Sequence, residues 1–428
     1  MKKILITALA ANQKGEIFEI DGYAATGMAG SKIVPLTLDN TVELPFGSEL
    51  MLLPDRIPVY FNISNKRVEK LSNNPFDSSS ILLPVAAFNS PGYLIRYSSS
   101  YQERENAGYL PLFAYSAVGF YNGKFRSAVV QIDKEKRQDL RLMPQKKIAN
   151  GLKKMKEKMK GNRLILHLEK CAMFYGCPAA KNLFIGRFEA PLPTSTVCNA
   201  NCLGCISLQK NTGISHCQER IIFTPTPDEI SEIALEHIHN VKQSVVSFGQ
   251  GCEGEPLMAA DAIAGAIDII RSNTNFGTIN MNTNGSKPDI IAKLFEKGLD
   301  SIRVSMNSVR EEYYNAYFRP KTYTFNDVKK SIEIAIQKGK FVSINYLNCP
   351  GFTDTEGELE AMLEFIKKYP INFIQWRNLN FDPLRYINVM ENVHKLGTSI
   401  GMKRILKSIK KADNKIRFGY FNPPKEKW

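Results

Sequence analysis

The first 170 of the 428 residues contain no cysteine, and seven of the eight cysteines lie between positions 171 and 252. A secreted disulfide framework distributes cysteines over the segments it stabilises, so this clustering indicates a metal site instead. The chain also lacks any apolar run near the roughly 20 residues needed to span a bilayer, so no membrane partner is expected. The apolar stretch 4–11 continues into the next segment without a polar break, which favours a β-strand over a secretory signal.

Acidic residues are scarce in two segments of the chain, whose net charge is +14. Residues 134–170 contain 13 Lys and Arg against 4 Asp and Glu, and residues 395–428 contain 10 against 2. The rest of the chain is slightly acidic. Such segments suit a polyanionic partner, although solvated helix faces explain charge runs just as often.

The pattern of apolar residues divides the chain into four parts. Short alternating runs separated by turn residues predict a β-rich N-terminal domain, and GLKKMKEKMK predicts a basic helix that joins two domains. The predicted boundaries are 1–133 for the β-rich domain, 134–187 for the basic helical linker, 188–390 for an alternating strand and helix domain, and 391–428 for a basic helix and tail.

Six strand and helix units are predicted in the third part. The strands are a first one near 190–197 and then SVVSFG, TINMNTNG, SIRVSMNS, FVSINYL and NFIQW, with helices at 227–241, 257–273, 288–298, 325–338 and 354–368. Thr226 with Glu229, and Thr353 with Glu356, have the spacing of a capping box. Alternating units of this length predict an α/β fold, a partial (β/α)6 barrel of the TIM type, with its chemistry at the C-terminal ends of the strands.

A cysteine triplet follows the first predicted strand, in the segment VCNANCLGC. Cys198, Cys202 and Cys205 have the spacing Cys-x3-Cys-x2-Cys, and three thiolates on one loop can bind three irons of a [4Fe–4S] cluster while the fourth iron stays open. A structural zinc site is the alternative, since His216 and Cys217 are close enough in sequence to complete it.

This triplet resembles that of the radical S-adenosylmethionine (radical SAM) superfamily, and the resemblance covers about residues 188–390. It implies an enzyme in which the open iron chelates S-adenosylmethionine. The reduced cluster then cleaves this cofactor to a 5′-deoxyadenosyl radical that abstracts hydrogen from a substrate. An electron donor such as ferredoxin or flavodoxin and a cytoplasmic location are implied as well.

The resemblance extends to a glycine-rich loop, FGQGCEGEPL, which is similar to the family's Gly-Gly-Glu-Pro motif. By that match Glu255 is the carboxylate that holds the amino group of the cofactor, and Gly254 gives backbone access. The loop is longer than the family pattern, and Glu253 competes with Glu255 for the role. Cys252, inside the same loop, is a candidate catalytic residue as a thiol donor or radical partner.

Further motifs resemble the family at the ends of later strands. MNTNG is similar to Thr-Asn-Gly and VSMNS to Ser-Leu-Asp, which carries over cofactor-binding roles to four residues. An arginine in YFRP is placed to pair with the cofactor carboxylate. These candidates are Thr283, Asn284, Ser305, Asn307 and Arg319. One departure is Gly204, because the family usually has an aromatic residue before the third cysteine.

The remaining cysteines leave an auxiliary cluster open as a hypothesis. Cys171, Cys177 and Cys217 are the candidate ligands, with Cys252 or another group as the fourth. Against it, the spacing Cys171-x5-Cys177 is unusual for a cluster, and a buried free cysteine behaves as a small hydrophobic residue.

Three substrate hypotheses remain. RNA or another macromolecule, such as a protein, is favoured by the basic segments and the preceding β domain; the aromatic tail FGYFNPP suits base stacking or a hydrophobic clasp equally. Chemistry on a peptide or small molecule is the second, and the third is a zinc-stabilised nucleic-acid binding protein without catalysis. On the last strand, either the pair Gln375 and Arg377 or the pair Trp376 and Asn378 is expected to face the barrel interior and bind substrate, and Asn380 follows. A polar edge to the core is the alternative explanation.

Overall fold

The computed structural model describes residues 3–209 and 212–428. The N-terminal part consists of short antiparallel strands, because alternating apolar residues are interrupted every few positions by glycine, asparagine and proline. Its strands are β1 Thr7–Ala11, β2 Ile17–Ala24, β3 Thr26–Ala29, β4 Lys32–Pro35, β5 Val42–Glu43, β6 Glu49–Leu52, β7 Arg56–Asn62, β8 Arg67–Lys70, β9 Asn73–Asn74, β10 Asp77–Ile81, β11 Leu83–Phe88, β12 Tyr93–Ile95, β13 Ser98–Ser99, β14 Tyr101–Glu103, β15 Ser116–Tyr121, β16 Lys124–Ser127 and β17 Val129–Gln131.

Three helices connect this domain to the next, where the sequence predicted one basic helix. They are α1 Gln145–Lys158, α2 Arg163–Met173 and α3 Pro178–Phe184. Helix α1 buries Ile148, Leu152 and Met155 and leaves its lysines in water. Helix α2 begins where the side chain of Asn162 accepts hydrogen bonds from two backbone amides of the first turn.

The third part is a parallel sheet whose strands follow one another in chain order. Its strands are β18 Glu189–Pro191, β19 Val245–Phe248, β20 Thr278–Thr283, β21 Ser301–Met306, β22 Phe341–Asn348, β23 Phe373–Asn378 and β24 Arg417–Gly419. Its helices are α4 Pro227–Asn240, α5 Ala260–Asn273, α6 Pro288–Lys297, α7 Glu311–Phe318, α8 Phe325–Gln337, α9 Glu356–Lys368, α10 Pro383–Glu391 and α11 Met402–Ala412. The predicted partial barrel behind a β-rich domain is confirmed, with one strand more than predicted, because β24 has only three residues and too short a pattern to recognise.

One of the two predicted capping boxes is confirmed and the other is wrong. Thr226 and Glu229 cap α4 reciprocally. Helix α9 is instead capped by Thr355, whose side chain accepts from the backbone N–H of Glu358. The hydroxyl of Thr353 is already engaged, because it accepts from the N–H of Cys349 at 2.9 Å and donates to the carbonyl of Leu347.

The N-terminal domain packs against the C-terminal ends of β22 and β23. Asn378 accepts a hydrogen bond from the N–H of Ile95 and donates one to the carbonyl of Tyr93. Just beyond β23, the buried carboxylate of Asp382 binds the guanidinium of Arg56 at 2.7 Å and the hydroxyl of Tyr101 at 2.6 Å. This domain therefore borders the edge of the sheet at which a parallel barrel carries its chemistry.

The C-terminal tail packs into the barrel rather than extending into solvent. Phe421 is buried, the backbone N–H of Lys425 donates to the hydroxyl of Thr278 at 2.7 Å, and the ring of Trp428 stacks on Phe341. Of the two uses open to this aromatic tail, the packing contacts support the clasp. No helix of the described residues has the length and apolar character to cross a membrane.

Candidate metal and cofactor site

The cysteine triplet lies on a loop that is held against the end of α7. The backbone N–H of Asn201 donates to the carbonyl of Phe318 and that of Leu203 to the carbonyl of Tyr317, both at 3.0 Å. The N–H of Lys321 donates in turn to the carbonyl of Asn199 at 2.9 Å. These bonds hold the backbone of the loop against the C-terminal end of α7.

Gly204 is required by the packing of this loop. A Cβ atom at that position would lie 2.8 Å from both the backbone oxygen of Asn380 and the hydroxyl oxygen of Tyr317. The space that an aromatic residue at this position would need is thus filled by the chain itself. The departure from the family pattern at Gly204 therefore has a steric cause.

The three cysteines of the triplet form no disulfide, and two of their thiols are deeply desolvated. Burial raises the pKa of the Cys198 thiol to about 11 and that of Cys202 well above its usual range. The guanidinium of Arg220 lies 3.5 Å from the sulfur of Cys205 and provides positive charge beside it. Arg220 was missed by the sequence analysis, because it lies 15 residues beyond the triplet with no motif around it.

The donor set of the triplet fits a cluster better than a single ion. Among the described residues, the sulfurs of Cys198, Cys202 and Cys205 do not form a set of three ligand atoms within 4.8 Å of one another. A single zinc ion with bonds of about 2.3 Å to sulfur needs closer ligands than that, whereas a cube of four irons separates its thiolates further. His216, considered for zinc, is exposed, and the thiol of Cys217 donates to the carbonyl of Leu112 at 3.2 Å.

The glycine-rich loop after β19 is held against the chain that leads into the triplet. The N–H of Gly254 donates to the carbonyl of Ser195 at 2.7 Å, and that of Glu255 to the carbonyl of Val197 at 2.9 Å. A Cβ on Gly254 would lie 1.9 Å from that same Val197 oxygen, so only glycine fits.

Glu253 has the contacts of a structural brace. Its carboxylate accepts from five donors: the N–H and hydroxyl of Thr194 and the N–H groups of Ser195, Gly249 and Gln250, all between 2.7 and 3.1 Å. A carboxylate with this many donors has little capacity left for a ligand.

Glu255 has fewer partners and lies beside the triplet. Its carboxylate accepts from the hydroxyl of Thr283, from the N–H of Asn284 at 2.8 Å and from the N–H of Leu257 at 3.2 Å. Burial raises the pKa of this carboxyl to about 7, and its charge contributes to the raised pKa of Cys198. The geometry therefore brings Glu255, Thr283 and Asn284 together next to the cysteine loop.

Asn199 joins the two motifs and was missed by the sequence analysis. Its side chain accepts from the amide of Asn284 at 2.8 Å and donates to the hydroxyl of Ser286 at 2.9 Å. It is buried, and it directly follows the first cysteine of the triplet. Its position directly after Cys198 is the sequence signal that could have identified it.

A family model named Radical SAM superfamily matches residues 192–366. This range contains the triplet, the glycine-rich loop and the motifs at the ends of β20 and β21. These residues form a radical SAM domain.

Curated relatives carry the names of enzymes. GTP 3′,8-cyclase of Clostridium botulinum (strain Hall) is 28% identical over 172 residues, which are 36% of this chain and 51% of that protein. Probable GTP 3′,8-cyclase of Methanosarcina acetivorans is 27% identical over 178 residues, 40% of this chain and 48% of that protein. The chain thus spans about half the length of the curated relatives it matches.

Solved radical SAM structures are similar at a lower level. A radical SAM methyltransferase from Sphaerobacter thermophilus aligns with a TM-score of 0.40 and 14% identity over 54% of this chain and 66% of that one. HydG, a maturase of the [FeFe]-hydrogenase, aligns with a TM-score of 0.38 and 17% identity over 64% and 66%.

The other predicted site residues of this radical SAM domain are dispersed. Ser305 lies on β21 in register with Asn345 of β22. Asn307 is fully buried and donates to the carbonyl of Tyr313 at 3.0 Å and the hydroxyl of Tyr386 at 3.2 Å, which ties α7 to α10. Their roles toward the cofactor stay predictions.

Arg319 and Cys252 have different neighbours. Arg319 is exposed at the C-terminal end of α7, where its charge acts on the thiol of Cys202. Cys252 is buried, and its sulfur lies with His167 and Cys171 of α2. A catalytic role for Cys252 stays a prediction, and its neighbours are those of α2 rather than the triplet.

The barrel interior of the domain is polar. Gln375 donates to the carbonyl of Tyr420, and the guanidinium of Arg377 lies 3.8 Å from the ring centre of the same residue. Trp376, which alternates with them, packs instead on Tyr346. Gln375 and Arg377 therefore lie on the same face of β23. Asn378 instead hydrogen-bonds the N-terminal domain.

Two arginines contribute positive charge to this interior. Burial lowers the pKa of the Arg303 guanidinium to about 9, and the charge of Arg377 acts in the same direction. Within the described part of the chain, Nε of Arg303, Oδ1 of Asn345 and Oε1 of Gln375 are buried without a hydrogen-bond partner. Unpaired buried polar atoms on three adjacent strands are the kind of surface that a polar ligand satisfies.

Proposed function

We propose that this enzyme cleaves S-adenosylmethionine by one-electron reduction and uses the resulting radical to abstract hydrogen from a substrate held inside the barrel. Cys198, Cys202 and Cys205 would bind three irons of a [4Fe–4S] cluster, which when bound supplies the electron. The observation that carries the proposal is that Glu255 is connected to the triplet loop. Asn284, at the end of β20, donates hydrogen bonds both to the Glu255 carboxylate and to the side chain of Asn199 in that loop.

The residues of this chain would position the cofactor. Glu255, when ionised, accepts hydrogen bonds from an ammonium group, and Thr283 and the N–H of Asn284 hold that carboxylate in place. Gly254 leaves the backbone open to a close approach. Ser305 and Arg319 complete the proposed set, toward the ribose and the carboxylate of the cofactor.

A small polar molecule with an anionic group is the substrate class that the barrel interior favours. Arg303 and Arg377 provide positive charge, and Asn345 and Gln375 provide acceptors on neighbouring strands. The curated relatives are named for GTP, a molecule of this class. The N-terminal domain packs against the ends of β22 and β23, and this neighbour beside the barrel mouth further favours a small substrate over a folded macromolecule.

A macromolecular substrate, RNA or protein, is the second candidate, and the exposed charge of α1 supports it. Lys146, Lys147 and Lys154 are exposed and form no ion pair with any described residue, whereas Lys156 binds Glu169. The same face suits an acidic electron donor such as ferredoxin or flavodoxin. Replacing the three unpaired lysines by glutamine would lower salt-sensitive RNA retention in the RNA case and the rate of reduction in the donor case.

The main proposal is tested by product analysis. Anaerobic protein reconstituted with iron and sulfide should release 5′-deoxyadenosine from S-adenosylmethionine under dithionite, and the Cys198→Ala/Cys202→Ala/Cys205→Ala variant should release none. A protein that binds zinc at the triplet and gives no 5′-deoxyadenosine would instead support the non-catalytic nucleic-acid binder. The oxygen sensitivity of such a cluster also supports a reducing, cytoplasmic location.

Iron counting tests the auxiliary cluster in the same preparations. Iron that remains in the triple variant would support a second cluster on the other cysteines, and complete loss would count against it. Of its four candidate ligands, Cys171 and Cys252 lie together, and Cys217 lies beside Leu112 of the N-terminal domain.

A further inference from the structure

Three metal-ligating side chains converge away from the triplet. Nε2 of His167, Sγ of Cys171 and Sγ of Cys252 all lie within 4.8 Å of one another. His167 and Cys171 are four residues apart on α2, so they share one face of the helix, and Cys252 approaches from the glycine-rich loop. Cys171 is 1% exposed and Cys252 is 5% exposed, while His167 is half-buried.

We propose that His167, Cys171 and Cys252 bind one zinc ion, and that the side chain of Cys177 rotates toward the ion to become the fourth ligand. The distance from His167 Nε2 to Cys171 Sγ is 3.6 Å. A tetrahedral zinc ion with bonds of about 2.3 Å to sulfur and about 2.05 Å to nitrogen separates these two ligand atoms by about 3.6 Å. The side chains already have the spacing that the ion requires.

Cys177 lies next to this set, but its sulfur is not among the ligand atoms within 4.8 Å of one another, so its side chain would have to turn toward the ion. Its backbone N–H donates to the carbonyl of Cys171 at 2.8 Å, and the charge of Cys171 contributes to the raised pKa of the Cys177 thiol. One histidine with three cysteines is a common ligand set for structural zinc. Binding releases the thiol protons to solvent and involves no oxidation or reduction.

A single ion fits this cluster better than an auxiliary iron–sulfur cluster. In a cube of irons each thiolate binds a different metal, so its sulfurs lie further apart than those bound to one ion. The ligand atoms of His167, Cys171 and Cys252 are too close together for that arrangement, and one of them is an imidazole nitrogen.

The ion would tie α2 to the glycine-rich loop. Cys252 directly precedes Glu253, which braces the loop, and lies three residues before Glu255. A metal bond from α2 to Cys252 would therefore hold the loop in the form that presents Glu255. In this role Cys252 is a structural ligand and makes no contact with the reacting atoms.

Metal analysis of the cluster-loaded enzyme tests the proposal. Wild type grown with zinc and purified anaerobically should contain about one zinc per chain besides its iron. His167→Gln and Cys171→Ser should lose most of the zinc, with an affinity at least tenfold lower, and keep the iron of the triplet. Cys349→Ser is the matched control, because Cys349 is equally buried and lies outside the cluster.

Cobalt provides a readout that does not depend on how the variants fold. Cobalt added to zinc-stripped, cluster-loaded wild type should give thiolate-to-cobalt charge-transfer absorption that zinc abolishes. Absence of this absorption, zinc content unchanged in both variants, or a Cys171–Cys252 disulfide in the anaerobic protein by peptide mass analysis would each overturn the proposal. Extra iron in place of zinc would overturn it as well.

Discussion

The amide of Asn422 donates a hydrogen bond to the carboxylate of Glu189 at 2.8 Å, which joins the tail of the chain to the first strand of the barrel. The same side chain accepts from the guanidinium of Arg303 at 3.1 Å, and the backbone carbonyl of Asn422 accepts from Arg137 at 3.1 Å. A partial barrel leaves its first and last strands unpaired with each other. Here a single buried amide spans part of that gap and gives a buried cation its partner.

We expect Asn422→Ala to destabilise the barrel by about 2–3 kcal/mol, because it leaves the guanidinium of Arg303 buried without that acceptor. Urea unfolding measures the change, and Glu426→Ala, at an exposed position of the same tail, is the matched control. Equal stability of the two variants would contradict the structural role of Asn422. Deleting the whole tail is a less specific test, since it also removes Phe421 and Trp428 from their packing contacts.

The two carboxylates of the glycine-rich loop should respond differently to the same isosteric change. Glu255→Gln should weaken S-adenosylmethionine binding at least tenfold with little loss of stability, because its proposed partner is the cofactor's ammonium group. Glu253→Gln should lower the free energy of unfolding by about 1–3 kcal/mol, because an amide cannot accept from five donors. Anaerobic equilibrium dialysis and thermal unfolding of both variants make the comparison, and a reversed pattern would exchange the two roles.

Gly204→Ala should reduce cluster loading and stability. The new methyl group meets a backbone oxygen and the hydroxyl of Tyr317 at 2.8 Å, so the triplet loop must shift. Iron content and urea unfolding report the two effects. Adding Tyr317→Phe should restore part of the loss by removing one of the two oxygens. Gly108→Ala is the control, because its Cβ would meet nothing within 4 Å.

The ion pair at the start of α4 predicts how the stability depends on pH. Hydrogen bonds from Arg163 lower the pKa of the Glu229 carboxyl to about 2 in the folded state. The carboxylate therefore contributes stability above its unfolded pKa near 4.5, and that contribution is lost as the pH falls toward 2. Arg163→Gln should make the decline of the unfolding free energy with acidification less steep.

Chemical unfolding at several pH values between 7 and 3 measures this difference in slope. Lys153→Gln is the control, since Lys153 and Glu157 form an exposed pair with a separation of 3.9 Å. A slope that Arg163→Gln leaves unchanged would show that the cap bonds from Thr226, and not the ion pair, set the pKa of Glu229.

Local signals were sufficient where a motif and its contacts lie in one stretch of chain. The alternation of strands and helices predicted the barrel, and Thr226 with Glu229 predicted the start of α4, because periodicity and capping act within a few residues. Thr353 failed as a cap for a tertiary reason, since its hydroxyl is engaged with the end of β22. The spacing of its motif could not reveal that competition.

The sequence by itself determined the cysteine triplet and the partial barrel, because ligand spacing and hydrophobic periodicity are local properties of a chain. Only the tertiary structure distinguished Glu253 from Glu255, placed Cys252 with His167 and Cys171, and turned the basic tail into a packing segment. Those outcomes depend on hydrogen bonds and burial between residues far apart in sequence, and these form only when the loops close against one another.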